Sequence, residues 1–217
     1  MPGGSILDRV AAHGVIPVVT MDRLEEALPL ANALLAGGLP VVEITFRTEA
    51  AAAVIRTLAQ ERPALIVGAG TVLTAANLES AKASGAAFAV APGLNPEMVA
   101  RAGELNLLFV PGVATPSEIE QALGLGCRLL KFFPSEALGG LAMLEALSAP
   151  YRHMGVRFVP SGGVNPTNLE AYLKLDTVAA VGGTWIAKKE DLAACQWDMI
   201  RDRCQAARGI VAKARCI

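Results

Sequence analysis

The 217-residue sequence predicts an α/β protein whose eight strands close into a (β/α)8 barrel, the TIM-barrel architecture. Three observations carry this expectation. From Val15 onward, short apolar, β-branched runs alternate with stretches of helical periodicity, the pattern of parallel βαβ units. Eight such runs occur, each ending at a glycine, a proline or a polar residue. The runs are nearly continuous rather than alternating, as strands covered on both faces require, and 53% of the chain is hydrophobic. An open doubly wound sheet is the competing architecture. It usually needs fewer strands, and Gly68–Ala69–Gly70 is followed by Thr71–Val72–Leu73 rather than by the third glycine of a dinucleotide-binding turn. The length fits one domain, residues 1–217, somewhat shorter than the ~250 residues typical of such barrels.

The elements follow in order. Val15–Val19 is the first strand. Met21–Asp22 opens a helix whose Leu24, Ala27, Leu28 and Ala31 recur at helical spacing until Gly37–Gly38. Val41–Phe46 is the second strand, followed by an alanine-rich helix over 49–61. Leu65–Val67 ends at Gly68–Ala69–Gly70–Thr71, with a helix near 75–84. Phe88–Ala91 ends at Pro92–Gly93, with a helix near 96–102. Leu107–Val110 ends at Pro111–Gly112, and Thr115–Pro116–Ser117–Glu118 has the form of a capping box with proline at the first helical position. Leu129–Phe133 is the sixth run, and its helix spans about 141–148. Arg157–Pro160 ends at Ser161–Gly162–Gly163, with a helix after Pro166. Val178–Val181 ends at Gly182–Gly183–Thr184, and a long helix over about 191–207 closes the series.

Composition narrows the function classes. The formal net charge is −1 and no basic stripe is present, so nucleic-acid binding has no support. Every apolar run is interrupted before it reaches the length of a membrane span. Met1–Pro2–Gly3–Gly4–Ser5 lacks the charged-then-apolar pattern of a signal peptide, and a cytoplasmic location is expected. The cysteines (Cys127, Cys195, Cys204, Cys216) form no CxxC pair, and His13 and His153 are far apart, so no metal site of Cys and His is expected. Cys204 falls in a helical apolar row with Trp197 and Ile200, which reads as core.

Chemistry in a barrel of this kind belongs at the C-terminal ends of the strands. In Leu129–Leu130–Lys131–Phe132–Phe133–Pro134 a single lysine stands in an apolar run, and lysine is rarely buried without a partner or a task. Lys131 shares its face with Leu129 and Phe133. On strand two, Glu43, Thr45 and Arg47 share the parity that points inward, while Val42, Ile44 and Phe46 face the helices. A buried ion pair adds little net stability, so three ionisable groups converging on one barrel mouth read more economically as a site. Apolar surroundings strip hydration from an ammonium and favour the neutral amine, which can attack a ketone to form a Schiff base. Glu43 is a carboxylate suited to moving protons, and Arg47 offers a planar fork matching a carboxylate. The set suits a 2-oxo acid.

Ser161–Gly162–Gly163 and Gly182–Gly183–Thr184 end strands seven and eight. Glycines let backbone N–H groups approach an anion, and barrels frequently bind phosphate at these two loops. The plainer alternative is that the glycines only tighten the turns.

Val-Val-Glu-Ile-Thr-Phe-Arg-Thr at 41–48, Val-Gly-Ala-Gly-Thr-Val at 67–72, Ala-Pro-Gly at 91–93 and Lys-Phe-Phe-Pro at 131–134 resemble the 2-keto-3-deoxy-6-phosphogluconate (KDPG) aldolases, some of which also cleave 4-hydroxy-2-oxoglutarate (KHG). The resemblance extends over about residues 5–210. It implies that Lys131 forms the Schiff base and Glu43 is the acid/base. It also implies that Arg47 and Thr71 bind the pyruvyl carboxylate and that Pro92 and Phe133 line the pocket. Ser161, Gly162, Gly163, Gly182, Gly183 and Thr184 then form the phosphate end. It further implies a phosphorylated 2-oxo acid substrate, no cofactor and a homotrimer. Many members carry Thr-Gly-Gly where this chain has Ser161–Gly162–Gly163, and Gly-Gly-Ser where it has Thr184. Both exchanges keep a hydroxyl, but position 161 bears on the choice among the gluconate substrate, its galactonate epimer and the shorter KHG. The rivals are a non-catalytic phospho-ligand sensor, separated by imine trapping, and a metal-dependent aldolase or isomerase, separated by chelation.

Overall fold

The computed structural model describes residues 5–215, so Cys216 lies outside the described residues. Nine parallel strand segments line up as β1 (Val15–Val19), β2 (Val41–Thr45), β3 (Ile66–Gly70), β4 (Phe88–Val90), β5 (Leu108–Val110), β6 (Gly112–Val113), β7 (Leu129–Phe132), β8 (Arg157–Pro160) and β9 (Val181–Gly183). Pro111 alone separates β5 from β6, so these two form one stave and the count of staves is eight. One sheet runs β5-β4-β3-β2-β1-β9 and the other β6-β7-β8. The Phe158↔Val178 and Ser161↔Gly182 bridges join β8 to β9 and close the barrel.

Side-chain parity divides two apolar layers. Val42, Ile44, Val67, Ala69, Leu130 and Phe132 face outward into one large core beneath the helices. Ile16, Val41, Ile66, Phe88, Val110, Leu129 and Val159 fill the barrel interior. The N-terminal mouth is plugged by α1 (Ile6–His13), which contributes Val10 and Ala11 to that interior. The sequence reading placed no helix there. Its signal was a capping box in which Ser5 Oγ accepts from the Asp8 N–H at 3.2 Å and Asp8 accepts from the Ser5 N–H at 3.1 Å. The guanidinium of Arg215, at the end of α10 (Trp197–Arg215), donates to the carbonyls of Ala11 at 2.5 Å and Ala179 at 2.6 Å and so ties the last helix to the plug.

Of the boundaries that differ from expectation, four have a clear physical reason. The first helix does not open at Met21–Asp22: a 3₁₀ turn, Leu24–Glu26, leads into α2 (Ala27–Ala36). Pro29 lacks an N–H and fits only the first turn of a helix, which sets the start at Ala27. The closing helix is two helices, α9 (Lys189–Ala193) and α10, broken where Cys195 sits at φ 53°. No glycine marks that left-handed residue, so composition does not reveal the break. The strands β3 and β9 take in the glycines that were read as following them. Added Cβ atoms would lie 2.2 Å from the Phe88 ring at Gly68 and 2.2 Å from the Ser161 hydroxyl at Gly182. These strands carry glycine because neighbouring side chains fill the space where theirs would stand.

Ile200 and Cys204 are fully buried where α10 packs on α2, and Trp197 is partly buried beside them. Burial pushes the Cys204 thiol up to about 12. The fully buried Tyr172 hydroxyl is likewise raised to about 12, by burial and then by its hydrogen bond to Glu136. Both groups keep their protons longer in the folded chain than in the unfolded one, where they ionise near their ordinary values. Conformational stability is therefore expected to fall as pH rises from about 9 to 12. Urea denaturation across that range checks it, and a Cys204→Ala variant should show a shallower decline.

Candidate active site

The C-terminal mouth of the barrel is built on glycine. Inward positions that hold bulky residues lower down are here Gly70, Gly112 and Gly182; the space at Gly70 goes to Glu43, that at Gly112 to the Pro92 backbone and that at Gly182 to Ser161. A Cβ on Gly70 would lie 2.2 Å from Glu43 Oε1, and one on Gly112 would lie 2.1 Å from the Pro92 carbonyl oxygen. The expected inward parity of Glu43 and Lys131 therefore holds, with each strand bringing its charge to the same layer.

Lys131 Nζ lies 3.6 Å from Glu43 Oε1, with both residues more than nine-tenths buried. It also lies 5.3 Å from the centroid of the Phe133 ring, a favourable place for a cation. The 3.6 Å separation is an ion-pair distance beyond normal hydrogen-bond length. Glu43 Oε1 is buried and accepts no hydrogen bond among the described residues. An orphaned acceptor of this kind costs about 1–3 kcal/mol, more when charged. It leaves a carboxylate oxygen beside an amine with capacity to take a proton.

Around this pair stand hydroxyls and a second cation. Thr45 Oγ1 is 2.8 Å from Thr20 Oγ1, at the end of β1. Arg47 Nε donates to Thr71 Oγ1 at 3.1 Å. Thr71 holds φ 54°, a left-handed backbone that costs a β-branched residue about 1–3 kcal/mol. That strain is kept at the residue that partners Arg47. Thr48 Oγ1 donates to the Met21 carbonyl at 2.5 Å and fixes the loop carrying Arg47.

A cavity of about 590 Å³ opens above β1, β8 and β9, lined by Thr20, Arg47, Gly163, Asn165, Thr184 and Trp185, with Lys188, Lys189 and Glu190 at its rim. Of the residues expected at the phosphate end, Gly163 and Thr184 line this cavity, Gly162 adjoins it, and Ser161, Gly182 and Gly183 are buried in the wall. The missing Cβ of Gly183 makes way for the Trp185 ring, 2.3 Å from where it would stand, so packing accounts for that glycine. The Gly162–Gly163 turn is different. Both residues hold positive φ, 92° and 88°. Their carbonyls accept from the Glu136 N–H and the Asn165 side chain, while among the described residues their amides, and that of Thr184, donate to no protein acceptor. Free amides around a cavity form an anion nest. Pro92 sits instead in a neighbouring apolar groove of about 260 Å³ with Leu73, Leu94 and Phe109.

The sequence reading missed a polar network, buried at Ser135 and Tyr172 and open to solvent at Glu136, that braces this mouth. Tyr172, on α8 (Leu169–Leu173), donates its hydroxyl to Glu136 Oε1 at 2.5 Å and lies 2.8 Å from Ser135 Oγ. The Ser135 and Glu136 N–H groups donate to the Ser161 and Gly162 carbonyls at 2.8 and 3.0 Å. The loop after Lys131 is thus stitched to the Gly162–Gly163 turn. Ser135 and Glu136 follow directly on Lys-Phe-Phe-Pro, but the partner is distant in sequence. Tyr172→Phe is expected to cost about 1–3 kcal/mol, because it leaves the buried Ser135 hydroxyl unpartnered; urea denaturation measures it.

Comparison with known proteins agrees with this geometry. The family model described as KDPG and KHG aldolase matches residues 6–203. The chain is 45% identical to the 2-dehydro-3-deoxy-phosphogluconate aldolase of Treponema pallidum, over 90% of this chain and 92% of that one. A crystal structure of KDPG aldolase from Legionella pneumophila, with pyruvate captured as a covalent carbinolamine intermediate, superposes with a TM-score of 0.89. It is 41% identical, over 94% of this chain and 98% of that one. The KDPG aldolase of Zymomonas mobilis ZM4 with 3-phosphoglycerate gives a TM-score of 0.86 at 37% identity, over 94% of this chain and 96% of that one. Matching that family model over nearly its whole described length, and its aldolase relatives at up to 45% identity, the chain belongs to the KDPG and KHG aldolase family.

Proposed function

We propose that this aldolase reversibly cleaves KDPG to pyruvate and glyceraldehyde 3-phosphate, and KHG to pyruvate and glyoxylate, through a Schiff base on Lys131. The observation that carries the assignment of residues is the buried Lys131–Glu43 pair with its orphaned carboxylate oxygen. Lys131 Nζ adds to the C2 carbonyl, giving a carbinolamine that loses water to become a protonated imine. Glu43 removes the C4 hydroxyl proton, the C3–C4 bond breaks, and its electron pair passes into the imine as an enamine while the aldehyde departs. The enamine takes the proton back at C3 through Glu43, and water hydrolyses the imine to release pyruvate and Lys131.

Arg47 and Thr71, already joined, receive the carboxylate, and Phe133 walls the imine. The Gly162–Gly163 amides and the Thr184 N–H and hydroxyl receive the phosphate. In the same reading Ser161, Gly182 and Gly183 shape the wall, Pro92 borders the pyruvyl side, and the whole chain works as a single-domain cytoplasmic enzyme assembled as a homotrimer. The test is borohydride reduction in the presence of pyruvate. The expected product is a carboxyethyl group on Lys131, found by peptide mass spectrometry. An unmodified Lys131 would sink the assignment. Comparison of kcat/KM for KDPG, its galactonate epimer and KHG ranks the substrates.

A further inference from the structure

The cavity above the Gly162–Gly163 turn carries more positive charge than a carboxylate clamp needs. Its lining includes three cations, Arg47, Lys188 and Lys189, against one carboxylate, Glu190. Arg47 is engaged with Thr71 on the side of the catalytic pair. Lys188 is the N-cap of α9 and Lys189 its first residue, just past Thr184 and Trp185, and both line the same cavity.

We infer that Lys188 and Lys189 form a cationic rim that selects phosphorylated over unphosphorylated 2-oxo acids. This rests on the aldolase reading above and names residues beyond the glycine turns.

The carboxylates around the rim support this. Asp191, next in the chain, is already committed: it accepts from the Lys188 N–H at 3.0 Å and pairs with Arg203. It fixes the Lys188 backbone, so the Lys188 side chain is not required for the local fold. Lys189 Nζ pairs with Asp22 Oδ2 at 2.5 Å, from the loop after β1, and both side chains are about half exposed. An exposed pair of this kind adds little stability. It therefore yields readily to a stronger acceptor. A phosphate group, with up to two negative charges and three acceptor oxygens, is such an acceptor. KHG ends instead in a carboxylate, with one negative charge and two acceptor oxygens. The glycine amides bind an anion at the turn, and the lysines add the charge that distinguishes a dianion.

The experiment compares kcat/KM for KDPG and for KHG in wild type, in Lys188→Gln/Lys189→Gln, and in Asp22→Asn. Glutamine keeps most of the apolar stem and removes the charge. In the double variant the KDPG/KHG ratio of kcat/KM is expected to fall about tenfold, mainly through KM for KDPG, as the loss of two exposed charge-assisted contacts implies. The decline of kcat/KM for KDPG with added salt should also become shallower. Asp22→Asn, which frees Lys189, is expected to raise the ratio. An unchanged ratio in the double variant, or an equal loss on both substrates, would overturn the proposal. Borohydride trapping of pyruvate on Lys131 is run alongside. Trapping that persists while the ratio stays fixed defeats the rim alone, whereas failed trapping in wild type defeats the aldolase reading and the rim with it.

Discussion

Lys131→Met is expected to lower kcat/KM for KDPG cleavage at least about 1,000-fold, a rise of about 4 kcal/mol in the barrier, and to abolish pyruvate trapping by borohydride. The nucleophile is lost outright, while methionine fills nearly the same buried slot between Phe133 and Glu43. Stability should change too, and in an informative way. Removing one partner of a buried pair leaves the other charge uncompensated and typically costs about 3–5 kcal/mol. Lys131→Met should therefore unfold at lower urea concentration than wild type. Adding Glu43→Leu removes the stranded carboxylate, and because a buried pair replaced by apolar groups is often neutral or stabilising, the double variant should recover most of that loss. Activity should not recover at all. Stability restored without activity would show that the pair is maintained for chemistry. A Lys131→Met enzyme retaining near wild-type turnover would place the Schiff base elsewhere.

Much of this architecture was legible because period-2 parity and strand–helix alternation are strong local signals. The inward face of β2 followed from Glu43, Thr45 and Arg47 alternating with Val42, Ile44 and Phe46, and the structure buries Val42 and Ile44 outside the barrel as that parity requires. Lys131 was conspicuous because a lone charge in an apolar run has few structural explanations. What escaped depends on contacts between segments far apart in sequence. Tyr172 carried no signal of its own in the sequence, because its bonds to Ser135 and Glu136 cross 37 and 36 positions. Thr20 pairs with Thr45 from another stave. Lys188 and Lys189 had no place in the sequence reading, and only the turn after β9 brings them to the cavity. The glycines were legible in kind but not in role. Gly162 and Gly163 make a turn with free amides, whereas Gly68, Gly70 and Gly182 make room for Phe88, Glu43 and Ser161.

That last distinction gives the second large effect. Gly70→Ala is expected to lower kcat about 100-fold, although alanine is the smallest side chain that can be added. Its Cβ would stand 2.2 Å from Glu43 Oε1, 2.7 Å from Cγ and 2.8 Å from Cδ. The colliding group is the end of a flexible side chain, so the carboxylate yields before the β3 backbone does. It must retreat by about 1 Å, and a misplacement of that size can cost about 100-fold in rate. The overpacking should cost only about 1–3 kcal/mol in stability. Imine formation depends first on Lys131, so pyruvate trapping should persist while C3–C4 cleavage fails; single-turnover kinetics beside the trapping assay separates the two. Gly68→Ala serves as the contrast. Its Cβ would strike the Phe88 ring rather than a catalytic group, so it should lose stability without the selective loss of the cleavage step. If Gly70→Ala cleaved KDPG at the wild-type rate, the position of the Glu43 carboxylate would not limit the reaction, and the proton transfers would have to be given to another group at the barrel mouth.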